Sequence, residues 1–119
     1  MAVNALSANT LIGDPVRNPA GEDLGTLEEI VLFLDSGRVA YAVLSAGGAM
    51  GMGDSYFAVP WSLLAVDTNH HAVVVDVDKE TIENAPGFDK DNWPSDDDSE
   101  WLTRVYSHFG HEPFWKTSP

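Results

Sequence analysis

The chain has 119 residues, 44% of them hydrophobic and 10% aromatic, no cysteine, and 19 acidic against 6 basic side chains for a formal net charge of -13. This is the composition of one folded domain rather than a disordered tail, and the lack of cysteine excludes disulfides, thiolate metal sites and cysteine nucleophiles. The acidic balance speaks against nucleic acid, whose affinity comes from Lys and Arg neutralising phosphates, and against an anionic membrane surface for the same reason.

The opening residues MAVNALSANTLIGD lack a basic region and an uninterrupted apolar run. No stretch approaches the roughly 20 apolar residues of a membrane span. The expectation is a cytoplasmic protein with no membrane insertion. LIGDPVRN then reads as a short extended segment interrupted by Pro15, and NPAGE as a turn set by Pro19 and Gly21. LGTLEEIVLFL is a second strand, followed by DSGR, where Gly37 closes a short hairpin in the left-handed conformation. The partner strand VAYAVL is apolar on both faces. Val39, Tyr41 and Val43 alternate with Ala40, Ala42 and Leu44, so one face fills a core and the other needs a helix, a tail or a second subunit to cover it. YFAVPWSLLAVD, a turn at Thr68-Asn69-His70, and AVVVDVD complete the strand-rich part. Short β-branched and aromatic runs between such turns predict a small antiparallel β-barrel or sandwich.

The last third differs. Asp78 is placed to cap a short helix, KETIENA, that stops before Pro86, and PGFDKDNWP reads as irregular. Ser95 with Asp98 forms a capping box opening a second helix, with Asp96 and Asp97 in its first turn. Trp101, Leu102, Val105, Tyr106 and Phe109 make its apolar stripe and Gly110 ends it. This predicts a helix packed on the barrel. The expected organisation is an N-terminal segment (1–10), a barrel domain (11–94) and a C-terminal helix with an apolar tail (95–119).

Four stretches carry residues that could form a site. In GGAMGMGDSYFAVPW (47–61), Gly48 and Gly53 have phosphate-loop spacing and Ser55 takes the hydroxyl position. Asp54, however, stands where the phosphate-binding Lys belongs, and a strand follows instead of a helix. A wide structural turn is the better reading. Asp89, Asp91, Asp97 and Glu100 fall at the first, third, ninth and twelfth positions of a calcium loop, but Trp93 and Pro94 occupy the fifth and sixth. They are the weak metal alternative. His108, His111 and Glu112 lack a convincing fourth zinc ligand, and His70 and His71 read as turn residues. No cofactor is expected, and no local catalytic motif joins the serines, histidines and carboxylates.

LIGDPVRNPAGEDLGTLEEIVLFLDSGRVAYAVLSAGG, followed by GDSYFAVPW, VVVDVDKE and APGFDKDNWP, resembles the PRC-barrel family from about Leu11 to Pro94. That family takes in the cytoplasmic domain of the photosynthetic reaction-centre H subunit and the C-terminal domain of the ribosome maturation factor RimM. The C-terminal helix and EPFW resemble extensions of free-standing bacterial members. The resemblance implies a small, mostly antiparallel barrel acting as a protein-interaction module, with no catalytic residue. It also implies turn or bulge roles for Gly13, Gly21, Gly25, Gly37 and Gly53, and a place in the barrel wall for Pro60 and Trp61. The resulting expectation is a non-enzymatic adaptor with a protein partner. A small-ligand or metal-binding module using residues 89–100 is the alternative. A homodimer is also expected, since Met50 and Met52 in a turn, and Phe114 and Trp115 beyond the helix, are apolar groups that a neighbouring molecule would cover.

Overall fold

A computed structural model describes residues 5–45, 55–89, 93–95 and 98–111. Helix α1 (Ala8–Leu11), absent from the sequence expectation, is capped by Ser7, whose hydroxyl accepts from the Asn9 amide. There follow β1 (Pro15–Arg17), β2 (Asp23–Leu32), β3 (Val39–Ser45), β4 (Ser55–Pro60), a 3₁₀ turn (Trp61–Leu63), β5 (Leu64–Asp67), β6 (Ala72–Val75), α2 (Lys79–Glu83), β7 (Gly87–Asp89) and α3 (Ser99–His108).

The strands form one sheet in the order β5-β6-β1-β2-β3-β4-β7. Five pairings are antiparallel, but β1 and β6 run parallel, with Val16 opposite Val73. The expected antiparallel barrel is therefore corrected: the sheet is mixed, and among the described residues it does not close, β5 and β7 standing at its ends. It is nonetheless strongly curled. β4 and β5 lie five places apart in the sheet order, roughly 24 Å if flat. Only Trp61–Leu63 joins them, and that link reaches at most about 14 Å.

The curl encloses a core of Leu11, Val16, Leu27, Leu44, Val59, Val73 and their neighbours, closed by Ile82 of α2. Asp78 caps α2 by accepting from the Thr81 amide at 2.9 Å. The reverse face of β3 and β4 carries a second cluster, in which Tyr41, Val43 and Ala58 meet Trp101, Leu102, Val105 and Tyr106 of α3. A helix is thus what covers the second apolar face of VAYAVL.

Strict alternation in that strand fails at one residue. Val31 pairs with Tyr41 and Leu32 with Val39, leaving Ala40 as an extra, bulged residue. Ala40 consequently joins the α3-side cluster and not Ala42 and Leu44. The bulge sits beside the β2–β3 hairpin, where Gly37 adopts φ +75° and its amide donates to the Phe33 carbonyl at 2.8 Å.

Two local expectations at the C-terminal end are also corrected. PGFDKDNWP contains a strand, since β7 pairs with β4, Phe88 lying opposite Tyr56. A Cβ on Gly87 would come within 3.0 Å of the Tyr56 carbonyl oxygen, so glycine permits this approach. The helix cap is Asp98, not Ser95. Its carboxylate accepts from the Trp101 amide at 3.0 Å, while its own amide donates to the Ser95 carbonyl at 3.1 Å in a preceding turn.

Candidate interaction groove

Where α3 begins, the edge of the second cluster borders a groove. This open groove of about 680 Å³ runs between the β2–β3 hairpin, the Trp93–Ser95 segment and the first turn of α3. Tyr41, Trp101 and Trp93 of its lining belong to an aromatic row that runs through Phe88, which does not itself line the groove. Tyr41 meets Trp101 edge-on with centroids 5.4 Å apart, Trp101 meets Phe88 at 5.7 Å, and Phe88 meets Trp93 at 4.9 Å. Tyr56 closes the row, 5.8 Å from Phe88 and 6.0 Å from Trp93. Phe88 and Trp93 are tilted at 56°, and the other four pairs are edge-to-face, contacts that orient each ring.

The rim is apolar where solvent would favour polar groups. Leu34 is 90% exposed, Leu32 51% and Trp93 42%; with Leu6 these are the large exposed hydrophobic side chains among the described residues. Three of the four border this one groove. Between them stand Glu29, Asp35 and Asp98, all exposed. Among its described lining residues there is no Lys or Arg. Arg38 of the hairpin acts toward Tyr106, where its charge partly opposes the upward push that burial gives the phenol. Burial raises Tyr41 in the same way.

The α3 wall is held from behind. The Tyr106 hydroxyl donates to the carbonyl of bulged Ala40 at 2.6 Å, a buried bond. At the far end of α3, His108 Nε2–H donates to the Thr81 carbonyl at 2.8 Å and ties the helix to α2.

The residues singled out from the sequence are distributed differently. Gly13, Gly21, Gly25 and Gly37 all have positive φ, as turn or bulge positions require. Gly53, Met50, Met52, Phe114, Trp115, Asp91 and Asp97 lie outside the described residues. Asp89 is paired with Ser55 in β7, and Glu100 is exposed in the first turn of α3. Among the described residues no three His, Asp or Glu side chains converge as metal ligands. His70 instead bonds Asp67 at 2.8 Å in an exposed turn, and this contact holds the Asp67 carboxyl below its usual value. No described helix is long and apolar enough to cross a membrane.

Sequence reasoning missed the groove. Leu32, Leu34 and Trp93 were legible as apolar residues, but their convergence depends on the hairpin and β7 arriving at the start of α3 from distant parts of the chain.

A family model for the PRC-barrel domain matches residues 4–82. The chain belongs to the PRC-barrel domain family. No curated protein matches it. The matched part of this PRC-barrel protein includes the hairpin side of the groove, whereas Trp93, Asp98 and Trp101 lie beyond it. The groove is therefore built where the family domain meets the C-terminal segment of this chain.

Proposed function

We propose that this PRC-barrel chain is a non-enzymatic protein-interaction module that offers the groove to a partner protein. The observation that carries the reading is the gathering of Leu32, Leu34 and Trp93 on one groove, because exposed apolar side chains clustered within a polar surface mark interaction sites. The exposed ring of Trp93 suits the role, since aromatic residues are enriched at interfaces and among the residues that carry binding energy. Membership of the family shows the fold class, and function is argued from the groove. The net charge of -13 favours a protein over a nucleic acid as the partner.

A photo-crosslinking amino acid at Leu34, with the exposed Glu83 of α2 as the control position, tests the reading in cells. The expected result is a discrete protein adduct from position 34 and none from position 83. Absence of a protein adduct from Leu34, and equally from Leu32 or Trp93, overturns it.

A further inference from the structure

We infer that the groove receives a partner segment combining apolar side chains with Lys or Arg, so that the two chemistries of the groove are met together. This rests on the protein-interaction reading and specifies the partner's chemistry. Tyr41 and Trp101 line the groove but are already buried, and it is the exposed side chains of Leu32, Leu34 and Trp93 that gain from being covered by aromatic or aliphatic groups. Glu29 on β2, Asp35 in the hairpin and Asp98 at the start of α3 place three carboxylates along the groove, and no Lys or Arg stands among its described lining residues. Bringing a second acidic segment into the groove would set like charges against one another as water leaves. A segment without cations would strip water from those carboxylates without replacing its contacts. Basic groups instead pair with those carboxylates while their neighbours cover the exposed apolar side chains. The overall charge of -13 draws such a segment in and repels an acidic one at long range.

A second copy of this chain fits less well. It carries the same net charge of -13, so the long-range field opposes its approach. The favoured occupant is therefore a basic, apolar stretch of a different protein.

The test titrates the full chain with three short synthetic peptides of equal length: one of interleaved Lys and Phe, its counterpart with Glu for Lys, and one of Lys and Ser. Binding is read by amide chemical shifts and tryptophan fluorescence. The Lys–Phe peptide is expected to shift residues 29–35, 93–95 and 98–102, and to bind about tenfold or more tightly than either control. Paired Leu32→Ser and Leu34→Ser changes should weaken it about tenfold with the fold retained. Paired Glu29→Lys and Asp35→Lys changes should weaken it similarly and flatten its salt dependence. Equal binding of the Lys–Ser or Glu–Phe peptide, shifts centred elsewhere, or indifference to both variant pairs would overturn the inference. So would a dimer in sedimentation that L34S dissociates, because a second copy would then be the occupant. The two readings fail separately. A crosslinked partner whose contact segment is acidic or wholly neutral defeats this inference and leaves the interaction reading intact, whereas no crosslinked partner at all defeats the interaction reading.

Discussion

Tyr106 is the residue that most directly joins helix to sheet. Its hydroxyl meets a carbonyl that the bulge at Ala40 releases from ordinary strand pairing, and both groups are buried. Removing the hydroxyl leaves that acceptor unsatisfied, so Tyr106→Phe should cost about 1–3 kcal/mol in urea unfolding. A change within about half a kcal/mol, as for a surface site, would show that water replaces the bond. The same residue gives a pH dependence. Burial raises the Tyr106 and Tyr41 phenols above their usual value of 10.0, Arg38 opposing the shift at Tyr106. The unfolded chain therefore loses these protons first as pH rises. Their contribution is complete below about pH 10 and is lost through the folded values above it. Urea midpoints from neutral pH upward should fall in that alkaline window, and less steeply in Tyr106→Phe, which has one raised phenol fewer.

The seating of α3 is decided by its apolar stripe. Trp101 is 8% exposed and touches both Tyr41 and Phe88, so it links the helix, β3 and β7 in a single contact set. Trp101→Ala should cost about 3–5 kcal/mol, the range for deleting a buried large aromatic side chain. It should also open the groove lining, which smaller amide shifts at residues 93–95 on titration with the Lys–Phe peptide would report. A destabilisation near zero would mean that the helix is not held by this contact. The stripe of α3 was legible because Trp101, Leu102, Val105 and Tyr106 repeat at helical spacing, and all four are buried. Its start was not. Ser95 followed three residues later by Asp98 has the spacing of a capping box, and only the geometry shows that Asp98 itself receives the Trp101 amide. β7 was missed because three residues, Gly87–Asp89, carry too little periodicity to declare a strand, and it is pairing with β4 that makes them one.

Across the whole molecule, charge opposes compactness. With 19 acidic and 6 basic side chains, self-repulsion is stronger in the folded chain than in the expanded one. Raising ionic strength from about 0.01 to 0.15 M shortens the screening length from about 30 to 8 Å. The thermal midpoint should rise across that interval. An unchanged or falling midpoint would mean that attractive charge pairs dominate the balance.

The boundary between what the residues determine and what the fold determines follows from the range of the forces. Composition, turn glycines and two-residue alternation act locally. They were enough for the strand-rich class, for the positive φ at Gly37, and for an apolar second face on VAYAVL. They carried the resemblance to the PRC-barrel family as well. The direction of β1 against β6, the bulge that turns Ala40 toward α3, and the meeting of Leu34 with Trp93 join segments far apart in the chain. Such contacts form only when the curled sheet brings those segments together. Local pattern carries no term for them, and the groove exists because the tertiary fold does.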